Sequence, residues 1–161
     1  MKIKEQFTGL ILSIMSGLLI SYIPIICSDK LEVITILNII PVYIISRKSP
    51  SIGLISYIFT FLLIGVSNQV ESIRFLFING LLGLFLGMFS YYIRKKLLMS
   101  LFTGIILYIS INGIYNLINI NINIIYGLHL NGLAIQCIII LLCILYSSIV
   151  LMICDYLYKK I

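Results

Sequence analysis

The sequence predicts an all-α integral membrane protein with six transmembrane helices and both termini in the cytoplasm. Hydrophobic side chains make up 61 % of the 161 residues and charged ones 10 %, and the mean hydropathy is +1.20. A soluble domain needs roughly a quarter charged residues to cover its surface, so a globular enzyme, a disordered chain and a secreted disulfide scaffold are excluded. The apolar residues fall in successive runs that suit bilayer spans of about 20 residues. Between those runs the basic residues form clusters that alternate in size. There are two in 1–6, one at Lys30, two at Arg47 and Lys48, one at Arg74, three at 94–96, none in 116–131, and two at Lys159 and Lys160. Assigned to alternate sides, nine basic residues lie on one face and two on the other, and the positive-inside rule sets the richer face in the cytoplasm. The formal net charge of +6 is therefore a topology signal and not a nucleic-acid footprint.

Each span has its own boundary signals. Span one (7–26) follows a short polar leader with Lys2, Lys4 and Glu5 and closes near Pro24; no A-x-A-like site follows it, so it is retained as a helix and not a cleaved signal. Span two (33–45) is short and contains Pro41, and span three (52–66) is also short. Backbone groups freed by a proline at membrane depth must find partners inside the protein. Spans four (73–93), five (97–115) and six (133–157) are longer. The segment 116–131 alternates Asn and Ile at Asn119, Asn121 and Asn123, a period of two that predicts an extended stretch on the bilayer surface. It is the one connection long enough to act as a lid. The whole chain reads as a single transmembrane domain without internal repeats.

Polar residues concentrate in the outer half of this arrangement. Asn38, Asn68, Gln69, Glu71, Arg74, Asn79, Asn112, Tyr115, Asn116, Tyr126, His129, Asn131 and Gln136 all fall there. Polar groups at membrane depth are costly and face the bundle interior, so converging carboxamides predict a pocket for a polar solute. Asn79, Asn112 and Gln136 lie inside otherwise apolar runs and are the strongest candidates; helix-to-helix hydrogen bonding is their alternative use. Glu71 and Arg74, three apart, can pair on one helical face. His129 is the single histidine, and Cys27, Cys137, Cys143 and Cys154 match no zinc or redox spacing. No metal, no cofactor and no catalytic constellation is expected, and the chain has no P-loop with which to hydrolyse ATP.

Small residues recur every fourth position at Gly9, Ser13, Gly17 and Ser21, and Gly80, Gly83 and Gly87 punctuate span four. Such stripes let a second helix approach closely. In size, topology, charge pattern and this first-helix stripe the chain resembles the S component of energy-coupling-factor (ECF) transporters, the six-helix membrane subunit that captures vitamins in prokaryotes. The resemblance implies that Gly9, Ser13 and Gly17 form the interface with a transmembrane coupling subunit, itself driven by cytoplasmic ATPases. It implies a small-molecule substrate held near the outer face by Arg74, Asn79, Asn112, Asn116, His129 and Gln136, with Tyr115 or Tyr126 as an aromatic wall. A membrane scaffold, similar to small rod-shape or sporulation membrane proteins, is the alternative, and for it the stripes are protein interfaces and no ligand exists. The abundance of Ile, Asn, Lys and Tyr beside a single alanine, Ala134, is that of AT-rich coding DNA, and a bacterial plasma membrane is the expected location.

Overall fold

The computed structural model describes Ile11 and residues 38–93, 95–117 and 132–160. Apart from Ile11, span one lies outside the described residues with Gly9, Ser13 and Gly17, as does the 118–131 part of the connection, which carries His129. All regular secondary structure among the described residues is helical. Four helices are long and apolar enough to cross a membrane: Pro50–Ser67, Gln69–Tyr92, Lys96–Ile114 and Ala134–Tyr158.

Helix α1 spans Ile39–Lys48, with Asn38 as its N-cap residue. Pro41 is the third residue of α1, within the first turn, where a missing N–H costs no helical bond. Ser49 is extended and Pro50 opens α2, Pro50–Ser67, the position where a fixed φ suits a helix start. Asn68 then separates α2 from α3, Gln69–Arg74, and its side-chain oxygen accepts from the backbone N–H of Val70 and Glu71 at 3.0 and 3.3 Å. This N-cap satisfies two of the donors that any helix start leaves free.

The chain continues from α3 through a π-helical turn, Phe75–Asn79, into α4, Gly80–Tyr92. A π turn widens the helix and displaces carbonyls from their usual partners. Here Tyr57 of α2 donates its hydroxyl to the Leu76 carbonyl at 2.6 Å, and its ring stacks on Phe75 with centroids 5.9 Å apart. Gly80 fits the turn because a Cβ at that position would lie 2.6 Å from the Phe75 ring. Helices α5, Lys96–Leu117, and α6, Gly132–Tyr158, complete the described bundle.

A short helix, α1, lies at the centre. At 1.5 Å per residue α1 is about 15 Å long, half of a hydrocarbon core of about 30 Å, yet Ile39, Val42, Tyr43, Ile44, Ile45 and Ser46 are all buried. It packs on α4 at glycines: a Cβ on Gly83 would lie 2.7 Å from the Ile39 carbonyl oxygen, and one on Gly87 would lie 2.7 Å from that of Tyr43. Gly53 of α2 is closed in the same way by Ser46. The Gly83-x-x-x-Gly87 pair is thus consumed inside the chain, seating α1 at near-backbone contact. On the other side, Gly104 of α5 faces Ile144 of α6, where a Cβ would lie 2.8 Å from the Ile144 Cα. Tyr43, Leu82, Leu86, Met99, Leu107, Cys143, Val150 and Cys154 fill the core between these pairs.

Enlarging Gly87 should therefore separate α1 from α4. Gly87→Val is expected to lower stability by about 1–3 kcal/mol through overpacking. Gly113→Ala, at a position with nothing within 4 Å, should be neutral or slightly stabilising because alanine is the better helix former. Thermal unfolding of the two variants in detergent checks the contrast.

Candidate functional site

Two contacts at each helix pair fix the heights of the predicted polar residues. Between α4 and α5, Ser90 donates to the Met99 sulfur at 3.5 Å and the Phe89 and Phe102 rings lie 5.9 Å apart. Between α5 and α6, Ser147 donates to the Ser100 carbonyl at 2.7 Å, and Gly104 meets Ile144. Both pairs are antiparallel. Asn79 lies ten residues beyond Phe89 and Asn112 ten beyond Phe102; Asn112 lies eight beyond Gly104 and Gln136 eight before Ile144. The three carboxamides therefore stand level with one another, about 12–15 Å from those anchor points towards the end of the bundle opposite Asp155.

Their environments differ. Asn79 closes the π turn and is half-buried, Asn112 is half-buried, and Gln136 is exposed. Arg74 is exposed and pairs with Glu71 at 3.1 Å, the i to i+3 pair expected from the sequence. In that setting the pair is worth little, and the Arg74 guanidinium is engaged with its own helix. Asn116 belongs to α5, and its side chain, with that of Tyr115, lies outside the described residues, as do His129 and Tyr126. Among the described residues no three His, Cys, Asp or Glu side chains gather in a way that could hold a metal ion.

The most unusual polar group is Asn38. It is 3 % exposed, makes no side-chain cap on α1, and its Oδ1 has no hydrogen-bond partner. Nine residues separate it from Arg47 at the basic end of α1, about 14 Å along the axis, so it lies near mid-depth. Ile39 seats against Gly83, and Asn79, the last residue of the π turn, is four residues before Gly83, so Asn38 and Asn79 occupy neighbouring heights. Ser46 Oγ is also buried without a partner, but it is pinned between Gly53 and Gly87, where a Cβ would already collide with it. Asn38 has no such glycine against it.

The opposite end of the bundle is held by charge. Asp155, near the end of α6, accepts from Arg47 Nη1 at 2.5 Å and from Lys96 Nζ at 2.6 Å. One carboxylate thus joins α1, α5 and α6. Arg47 also donates to the Tyr43 hydroxyl at 2.6 Å, and its guanidinium lies 4.1 Å from the Tyr158 ring centroid. Tyr43 reaches on to Ser90 of α4 at 3.4 Å, so four helices meet in one connected set. Partial burial alone would lower the Arg47 pKa, but the hydrogen bond to Asp155, with the Tyr43 hydroxyl, raises it above its ordinary value. A guanidinium plane that stacks on Tyr158 and a permanent charge suit arginine to this place better than lysine.

Known families, curated proteins and solved structures contain no match to this chain. The description of the site rests on its own residues. Asp155 and its two cations were missed by sequence reasoning, which treated Arg47 and Lys96 as topology markers and Asp155 as one of the acids near a membrane end. The available signal was that a lone acid four residues before Lys159, inside an apolar helix, shares a face with two basic clusters.

Asp155 should couple more strongly to Arg47 than to Lys96, because the Arg47 side chain is 25 % exposed and that of Lys96 63 %. Hydrogen bonds to charged groups contribute about 1.5–3 kcal/mol when shielded and exposed pairs about 0–1 kcal/mol. Double-mutant cycles with Asp155→Ala, read by thermal unfolding, should give coupling energies in that order.

Proposed function

We propose that this chain is a substrate-specific membrane subunit that captures a vitamin or related small micronutrient for ATP-driven uptake of the ECF type. The observation that supports this reading best is the Asn38 carboxamide, 3 % exposed and with an unpartnered Oδ1. A buried acceptor without a donor costs free energy, and native structures rarely keep one without a use. At membrane depth such groups mark solute pathways. Its setting adds weight: it adjoins the first turn of α1, about half a bilayer thickness from the basic end of that helix, and transporters place helix ends at such depth against their substrates.

In this reading Asn38 accepts a hydrogen bond from a solute N–H or O–H. Asn79 and Asn112, at neighbouring heights, offer both donors and acceptors. Gln136 stands at the same level on α6, and Arg74, Asn116 and His129 belong to the approach from outside. The protein performs no bond chemistry. It binds, and the energy of transport comes from partner ATPases acting through a coupling subunit. That subunit docks on the first helix at Gly9, Ser13 and Gly17. The Gly83 and Gly87 stripe is occupied by α1 and so is not the docking surface in this reading.

Replacing Asn38 by leucine, of similar volume, separates solute capture from structure. Asn38→Leu should unfold at the same temperature as the wild type or higher, since an unsatisfied buried acceptor is removed. It should also lose the small molecule that native mass spectrometry finds on gently purified wild-type protein. A marked fall in unfolding temperature, or a wild-type protein that carries no small molecule, would contradict the reading.

A further inference from the structure

Around Asp155 the charges do not balance. Arg47, Lys48, Lys95, Lys96, Lys159 and Lys160 lie at the same end of the bundle, and Asp155 is the one acidic side chain among the described residues there. Asp155 engages Arg47 and Lys96; Lys48, Lys95 and Lys159 are exposed and carry no ion pair, and Lys160 rests 4.6 Å from the Tyr156 ring centroid. Their mutual position is fixed, because Lys48 follows Arg47, Lys95 precedes Lys96, and Lys159 lies one turn beyond Asp155. The exposed residues immediately above them are apolar: Leu97 on α5, and Ile149, Met152 and Ile153 on α6. Such side chains meet acyl chains, so the lysines beyond them, adjoining Leu97 on α5 and about two turns past Met152 and Ile153 on α6, stand at headgroup depth. Tyr91, Tyr92 and Tyr156, all exposed, lie at this same boundary, where aromatic rings settle between acyl chains and headgroups.

We infer that the inner ends of α1, α5 and α6 form a binding surface for the phosphate headgroup of an anionic phospholipid, seated between Lys48, Lys95, Lys159 and Lys160 around the Asp155 clasp. The occupant is a lipid and not a protein because the lysines continue a lipid-facing apolar wall. Each basic residue near a membrane surface adds attraction to anionic headgroups that fades within a Debye length. The clasp gives the surface a further property. When Asp155 is neutralised, Arg47 and Lys96 are released, and a headgroup phosphate can take the place of the carboxylate between them. This inference is independent of the solute-capture reading.

The test is thermal unfolding of the full chain in nanodiscs of phosphatidylcholine alone and of phosphatidylcholine mixed equally with phosphatidylglycerol. Wild-type protein should unfold about 5 °C higher in the anionic discs, the size expected for ligand in large excess over its dissociation constant, and high salt should erase most of the difference. The combined variant Lys48→Gln, Lys95→Gln, Lys159→Gln, Lys160→Gln should unfold at the same temperature in both. Asp155→Asn should be less stable than wild type in the neutral discs but gain more than wild type from the anionic lipid. Equal wild-type temperatures in the two discs would overturn the inference and leave the lysines to an acidic protein surface. An undiminished gain in the lysine variant, or a gain in Asp155→Asn no larger than that of wild type, would overturn it too.

Discussion

The described bundle depends on how closely α1 can sit. A ten-residue helix cannot cross a bilayer, and it cannot be held in one by hydrophobic burial, because lipid tails are as apolar as its own side chains. What remains is packing and polar bonding. Gly83 and Gly87 of α4, with Gly53 of α2, remove the side chains that would keep α1 at ordinary helix spacing. Backbone then approaches backbone over two turns, and Ile39, Val42, Tyr43 and Ile45 become the centre of the protein and not its lipid face. With α1 seated, Arg47 emerges beside the end of α6, where Asp155 receives it.

The two ends of α1 have opposite characters. Its C-terminal turn carries Arg47 and Lys48, which suit the negative end of the helix dipole, and Arg47 is tied to α5 and α6 through the Asp155 carboxylate. Its first turn begins at a buried carboxamide that nothing in the described structure satisfies. Charge thus anchors α1 firmly at one end, while a buried acceptor is left unsatisfied at the other. The π turn of the neighbouring span serves the same region: it carries Asn79 at its end, and Tyr57 secures it from α2.

Much of this was legible in the sequence. The apolar runs read at 52–66, 73–93, 97–115 and 133–157 fall on the four long helices Pro50–Ser67, Gln69–Tyr92, Lys96–Ile114 and Ala134–Tyr158, because composition alone separates lipid-facing runs from connections. The alternation of basic clusters also reappears in space: Arg47, Lys96 and Lys159 fall at one end of the described bundle. What composition could not reveal was pairing. Arg47 and Asp155 are 108 residues apart, and neither belongs to a local pattern that would join them. The π turn at Phe75–Asn79 has no periodic signature, since its residues are as apolar as the helix around it. The Gly83 and Gly87 stripe was visible, but whether a helix of the same chain or of a partner fills it is decided by the fold. The carboxamides were recognised as a set, and the register places Asn79, Asn112 and Gln136 level; that Asn38, alone among the described carboxamides, is both deeply buried and unpartnered depends on packing that no single-residue property records.

The account assigns the Asp155 end to the cytoplasm and the carboxamide level to the outer half. Labelling with a membrane-impermeant thiol reagent tests that assignment most directly, using single cysteines introduced at Lys48, Lys95, Lys159, Asn68 and Val70 after Cys27, Cys137, Cys143 and Cys154 are replaced. Reaction at positions 68 and 70 in intact cells, and at 48, 95 and 159 only in inverted vesicles, is the predicted result. Labelling of both groups from the same side, or of positions 48, 95 and 159 from outside, would contradict it.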